Sequence, residues 1–164
     1  MGGSELGVST VVAAIADVAK PLRVTLVWTD AVGPTTGNAF VNDLDLEVTA
    51  GGNVYEGNGF ANGLSMAGGS ADPRNNVENV FLLAGFRGTV KVRVIAKNIV
   101  GDGVPGNMTT TDQDFALVVS NATFAGPAAG VMQVTAVTVT SQGDGDGVLE
   151  RGAVPKGACA SEPS

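Results

Sequence analysis

Apolar and polar residues alternate at period two along most of the chain, a pattern typical of β-strands with one buried face. The clearest alternating segments are residues 22–29, 43–49 and 89–97, and shorter ones occur at 54–55, 77–83 and 114–120. Residues 8–18 predict a further strand, although their alanine content leaves a short helix open. Turns rich in Gly, Asn and Asp separate these segments, so the pattern predicts an all-β fold, an antiparallel β-sandwich.

Changes in composition along the chain predict three regions. Residues 1–124 are expected to form the sandwich domain, with a long Gly- and Asn-rich loop at 57–74 of the kind that is usually functional or mobile. Residues 125–142 are expected to be a linker with one extra strand, and 143–164 the start of an incomplete following module or a disordered tail. An alternative for the extra strand is that it adds to an edge of the sandwich.

The residue counts narrow the chemistry that this chain performs alone. Its 164 residues include no histidine, which excludes Ser-His-Asp and Cys-His catalysis and histidine-ligated zinc within the chain. Sixteen acidic against nine basic residues give a net charge of −7, which argues against nucleic acid or an anionic membrane as partner and is typical of a secreted or calcium-binding protein. The single cysteine, Cys159, allows no internal disulfide. No signal-peptide pattern begins the chain, so an exported protein would carry its signal on a longer parent.

Four short blocks resemble a known family. They are residues 20–30 (KPLRVTLVWTD), 41–46 (VNDLDL), 75–81 (NNVENVF) and 113–119 (QDFALVV). In this order they closely resemble the C-terminal jelly-roll domain of secreted subtilisin-like serine proteases, the subtilases. The resemblance covers about two-thirds of the chain. It implies an antiparallel jelly-roll β-sandwich attached to a subtilase catalytic domain, outside the cytoplasm and often with bound calcium.

The function that the resemblance implies is that of a non-catalytic accessory domain. Such a domain would stabilise the catalytic domain of the same parent chain and help to position protein substrates. Nothing here matches the subtilase catalytic blocks, so no catalytic residue carries over; the chain by itself is expected not to be an enzyme, and the parent is expected to be a serine endopeptidase. Residues 143–152 (GDGDGVLERG) look like the opening of a module that commonly follows such domains, although Ala153 stands where an acidic residue is usual.

A calcium site is predicted around two aspartates. Asp43 and Asp45 lie two positions apart on one strand, hence on the same side with Cα atoms about 6.5–7 Å apart, and carboxylates so close repel unless solvated or neutralised by a cation. The resemblance implies Asp30, Asp43 and Asp45 as ligands, and Asn76 and Glu78 near a later strand are the further candidates. Strand alternation places Asp30 on the side opposite the pair, so convergence requires a strand end or a β-bulge. The alternative is a solvated acidic surface.

Two other functions stay open from the residues alone. An independent extracellular carbohydrate- or protein-binding module would need an exposed aromatic or apolar patch, for which Tyr55 and Phe60 are the candidates. A free-standing enzyme would need acid-pair chemistry, such as glycoside hydrolysis, in a domain with no evident cleft. The strand positions of Trp28, Phe81 and Phe115 predict core residues rather than a sugar-stacking platform.

Overall fold

Strands form where every second side chain is buried, as in the alternation of buried and half-buried residues along 22–26. The computed structural model describes residues 7–108, 110–124 and 137–138, the last pair by backbone alone. Within them the chain is all-β and contains no helix, so none is present there that is long and apolar enough to cross a membrane. The strands are β1 (Gly7–Ile15), β2 (Leu22–Val27), β3 (Asp43–Ala50), β4 (Asn53–Glu56), β5 (Phe60–Ala61), β6 (Leu64–Ser65), β7 (Val77–Leu82), β8 (Thr89–Asn98), β9 (Ala116–Ser120), β10 (Ala122–Phe124) and β11 (Val137–Thr138).

Two antiparallel sheets carry the fold. The five-stranded sheet has the order β10-β1-β8-β3-β4, the four-stranded sheet has the order β11-β9-β2-β7, and β5 and β6 form a separate small hairpin. Every strand pair within these sheets is antiparallel. The all-β, antiparallel prediction is therefore confirmed and the arrangement is consistent with a β-sandwich, while the jelly-roll topology stays a prediction.

The core is built from the inward-facing aliphatic residues of both sheets. Val24 and Leu26 of β2 and Leu46 and Val48 of β3 are fully buried, and burying each such side chain contributes roughly 1.5–3 kcal/mol. Trp28 and Phe115 are also buried, as predicted. Phe81 was predicted to join them, and that prediction is wrong. Its neighbours Val80 and Leu82 take the inward positions of β7, so Phe81 is half-buried on the outer face.

Several boundaries differ from the expected ones. The first strand ends at Ile15 rather than at residue 18 and is not a helix. The predicted loop at 57–74 contains the β5–β6 hairpin, whose turn residues Asn62 and Gly63 have φ angles of 52° and 80°. Val137–Thr138 pair with β9 at an edge of the four-stranded sheet. The remainder of 125–164, including Cys159, lies outside the described residues.

Candidate functional site

A cluster of carboxylates lies where the start of β3 faces β7. Glu78 of β7 is fully buried, and one of its oxygens, Oε2, accepts a hydrogen bond of 2.7 Å from the Leu46 amide. The Gly57 amide donates to the Leu46 carbonyl at 2.8 Å. The chain that leaves β4 therefore passes beside Leu46, the residue whose amide binds Glu78. A Cβ at Gly57 would approach Glu78 Oε2 to 2.1 Å, so this close approach requires glycine. Glu78 thus occupies a closely packed position between the two sheets.

Strand β3 is irregular at its start, but this irregularity does not bring Asp30 to the two aspartates. The pairing of β3 with β8 shifts register between Asp43 and Leu44, so the strand is irregular where the two aspartates begin. Asp45 is 5% exposed, and Asp43 is half-buried beside it. The carboxylates of Glu56, Asp72 and Glu78 also interact electrostatically with Asp45 or with one another. We call this set of five residues the acid cluster: Asp43, Asp45, Glu56, Asp72 and Glu78.

Two buried oxygens of the acid cluster, Asp45 Oδ1 and Glu78 Oε1, have no hydrogen-bond partner. Burial, followed by the negative charges of Asp45, Asp72 and Asp43, raises the pKa of Glu78 to about 8 against the opposing hydrogen bond from Leu46. Burial and then the charge of Asp43 raise the pKa of Asp45 to about 6. Glu78 is therefore mostly protonated at neutral pH when no cation is bound.

Asp72 is the best-stabilised anion of the acid cluster. Burial opposes its ionisation, but hydrogen bonds from the side chains of Asn58 and Asn75 and from the amides of Arg74 and Asn75 outweigh it and lower the Asp72 pKa. Asn58 adopts φ 58°, and its side chain also donates to the Val77 carbonyl at 2.9 Å. These hydrogen bonds fix the loop before β7 and favour the ionised form of Asp72.

Asp30 and Asn76 are held by other hydrogen bonds. Both carboxylate oxygens of Asp30 accept backbone amides, from Ala31 and Asn42 at Oδ1 and from Val41 at Oδ2, each at 2.8 Å. The Asn76 side chain donates to the Trp28 carbonyl at 3.0 Å. Of the five predicted ligands, Asp43, Asp45 and Glu78 influence one another electrostatically but do not converge closely enough to hold a metal ion. Asp30 and Asn76 instead organise the loops beside them.

A buried polar network lies next to Asp30. The Asn42 side chain is 2% exposed; its oxygen accepts the amides of Val100 and Gly101, and its nitrogen donates to the carbonyls of Gly101 and Asp112 and to Gln113 Oε1. Gln113 in turn donates to the Thr29 carbonyl at 2.8 Å. We call Asn42 and Gln113 the amide pair; it ties together the loops at one end of the sheets.

The sequence interpretation did not single out Glu56, Asp72 or the amide pair. A signal existed for Asp72, since Asp-Pro-Arg-Asn is a common turn composition in which the aspartate accepts nearby amides. No local signal distinguishes Asn42, because its partners lie 58–71 positions away along the chain. Within the described residues no group of three or more His, Cys, Asp or Glu side chains is close enough to hold a metal ion.

The aromatic candidates for a binding patch lie in different environments. Tyr55 is buried, with its ring edge-on to Phe86 at 6.3 Å between centroids. Phe60 is 39% exposed and lies against Phe81 at 5.4 Å, while the Arg23 guanidinium stacks 4.8 Å from the centre of the Phe81 ring. The structure therefore leaves Phe60 as the accessible ring of the two.

Comparisons with known proteins give no identification. No protein-family model matches the chain, and a search of curated proteins finds no match either. The resemblance to the subtilase C-terminal domain rests on the four sequence blocks and stays a prediction.

Proposed function

We propose that this chain is a non-catalytic accessory domain of a secreted subtilisin-like serine protease, which stabilises the catalytic domain of its parent and helps to position protein substrates. The observation that carries the proposal is that residues of the four blocks are joined by hydrogen bonds. Trp28 exchanges hydrogen bonds with Asn76, Asn42 binds Gln113, and Gln113 binds the Thr29 carbonyl. Residues that are far apart in the sequence but belong to the blocks thus form one connected set at one end of the sheets.

The order of strands supports the jelly-roll part of the proposal. Strands β1, β2 and β3 alternate between the five-stranded and four-stranded sheets, and so do β7, β8 and β9. β8 pairs between β1 and β3, and β7 pairs with β2, so early and late strands interleave as two nested Greek keys require. The β3–β4 hairpin within a single sheet departs from that pattern.

Calcium binding is the second part of the proposal. Asp45 Oδ1 and Glu78 Oε1 are buried oxygens without a hydrogen-bond donor, which is the chemistry that a hard cation requires. Asp43, Asp45 and Glu78 would have to move closer together in order to hold the ion, whose charge would then offset their mutual repulsion. Asp30 and Asn76 would have to exchange their present hydrogen bonds in order to join the ligand set.

Excess calcium is expected to raise the melting temperature of the chain, and a chelator to reverse the change. At a free concentration of a hundred times Kd the stabilisation is about 2.7 kcal/mol, or roughly 10 °C for a domain of this size. Asp43→Asn together with Asp45→Asn should abolish the shift and leave the metal-free midpoint equal or higher, because the repulsion is removed as well. Asp114→Asn, an exposed carboxylate, is the matched control. An unchanged midpoint in calcium would remove the metal from the proposal.

The accessory role is tested on the parent. The reading frame upstream of residue 1 is expected to encode a catalytic Asp, His and Ser, and removal of residues 7–124 is expected to shorten the half-life of proteolytic activity on heating. Removal of 143–164 alone is the control and should leave that half-life unchanged. A parent without these three residues, or one whose half-life is indifferent to the first deletion, would contradict the accessory role and favour an independent binding module.

A further inference from the structure

Half of strand β1 has no neighbour on one side. β1 pairs with β8 from Gly7 to Ala14, but on its other side β10 covers only Ala13, Ala14 and Ile15. Within the described residues no strand pairs with 7–12 on that side. An edge of this kind presents a row of backbone donors and acceptors that is able to pair with another strand.

The groups that face this open edge belong to alternate residues. The Ile15 amide donates towards β8, to the Gly88 carbonyl, and the Ala16 amide donates to the opposite side, to the Asn121 carbonyl. Because N–H and C=O groups alternate in direction along a strand, those of Val8, Thr10 and Val12 point to the open edge.

This edge has none of the usual protection against pairing. Residues 7–16 (GVSTVVAAIA) contain no charge and no proline, and Val8 and Val12 are 41% and 54% exposed. Edge strands normally carry charged residues or proline, or are covered. The free side of β4 is covered by Gly68, whose amide donates to the Val54 carbonyl, and that of β7 by Asn58 and Ser65. Among the described residues, the edge of β1 therefore lacks the cover that β4 and β7 have.

The open edge is complementary to a second copy of itself. In an antiparallel pair centred on Thr10, each Thr10 faces the other, and Val8 of each copy faces Val12 of the other. Both combinations join residues whose backbone groups point outward, so all of these groups find partners. Valine faces valine across the pair, and no like charges meet.

A shallow cavity of about 260 Å³ lies where the open edge meets β10. It is lined by Val12, Ala13, Ala14, Thr89, Thr123 and Phe124. The lining is almost wholly apolar, since four of the six residues are Val, Ala or Phe. In the register centred on Thr10, Val8 of the second copy lies opposite Val12 and beside this cavity.

We propose that two copies of this chain associate through the open edge of β1, antiparallel and centred on Thr10, so that their five-stranded sheets become continuous. Extending the register of β10 would bring the chain's own residue 127 opposite Thr10. Residue 127 is proline, which has no amide hydrogen for the Thr10 carbonyl. The second copy offers an amide hydrogen to the Thr10 carbonyl, whereas that segment does not. The pairing is short, so we expect the association to be weak and to require a high protein concentration.

Sedimentation equilibrium on the full chain tests the proposal through two oppositely charged variants. Val8→Lys with Val12→Lys, and Val8→Glu with Val12→Glu, should each stay monomeric because like charges face each other. Their equimolar mixture should associate at least as tightly as the unmodified chain, because lysine then faces glutamate. Thr49→Lys with Val54→Lys, on the same outer face but away from the edge, is the control and should associate normally. Equal melting temperatures establish that each variant is folded.

Amide hydrogen exchange gives the second readout. The amides of Val8, Thr10 and Val12 should exchange rapidly at about 10 μM and slow at least several-fold at about 1 mM, whereas Ser9 and Val11, which face β8, should be slow at both concentrations. A chain that is monomeric at 1 mM, or a mixture of variants that fails to associate, overturns the proposal. Slow exchange of the three edge amides at every dilution also overturns it, since a strand of the same chain would then occupy the edge.

Discussion

Metal-free protein is expected to lose stability steadily as the pH rises from about 5 to 8, and Glu78→Gln is expected to abolish most of that loss. The reason is the burial of Glu78, reinforced by the negative charges around it, which raises its pKa from 4.5 to about 8. Between these values the folded chain keeps a proton that the unfolded chain has released. The contribution of Glu78 to stability is therefore fully present below pH 4.5 and is lost as the pH rises through the folded pKa.

The expected effect is large. A shift from 4.5 to about 8 corresponds to about 5 kcal/mol in the free energy of unfolding. The pKa of Asp45 is raised to about 6, which causes a further loss of stability between pH 4 and 6. The titrations of Asp45 and Glu78 are coupled, so the two losses do not simply add. Since a domain is stabilised by roughly 5–15 kcal/mol in total, the metal-free protein should be markedly weaker at pH 8 than at pH 5.

Urea unfolding in a chelator, followed by the fluorescence of the single tryptophan, Trp28, measures this dependence. Glu78→Gln should be more stable than the unmodified chain at pH 8 and close to it at pH 5, because the amide fills the same space without a charge. Asp114→Asn, which alters an exposed carboxylate, should leave the slope with pH unchanged. Stability that rises between pH 5 and 8 would show that Glu78 ionises normally in the folded chain.

The long strands were predictable because their signal is local. Alternation marks one face of β2, β3, β7 and β8, and the structure buries that face in each. The short strands β5, β6 and β10 were not predicted, since two or three residues contain too little alternation, whereas β11 lies within the extra strand predicted in residues 125–142. The β5–β6 hairpin nevertheless had a usable signal in Asn62-Gly63, the residue pair that the tight turn of a hairpin favours.

The acid cluster was only partly predictable. Asp43 and Asp45 follow from strand parity, and the same parity contained a stronger signal. Glu78 is in phase with the inward-facing Val80 and Leu82, so the alternation places a carboxylate on the core face of β7, a consequence that the sequence analysis did not draw. How deeply it is buried depends on Gly57, which arrives from a different sheet. Such contacts between distant segments have no counterpart in the local sequence.

Asn42 is a second residue whose role depends on contacts with distant segments and could not be predicted from the local sequence. It belongs to the second sequence block, residues 41–46, directly before β3, and looks like an ordinary loop asparagine. In the folded chain it makes five hydrogen bonds to residues 100–113, four of them to backbone groups. Each buried backbone group that loses its partner costs about 1–3 kcal/mol, so the effect of this one side chain on stability is expected to be large.

Asn42→Ala is expected to lower the free energy of unfolding by about 3–5 kcal/mol, measured by urea unfolding at pH 5, where Glu78 is still protonated in the folded chain. Asn42→Asp should be at least as destabilising despite its equal volume, because its carboxylate would face the oxygens of Gly101, Asp112 and Gln113 in place of a donor. That comparison separates lost hydrogen bonds from a cavity, since a cavity alone would spare Asn42→Asp. Asn38→Ala, in the exposed loop before β3, should change stability by less than about 0.5 kcal/mol. A loss below about 1 kcal/mol in Asn42→Ala would mean that water replaces the amide and that the loops do not depend on it.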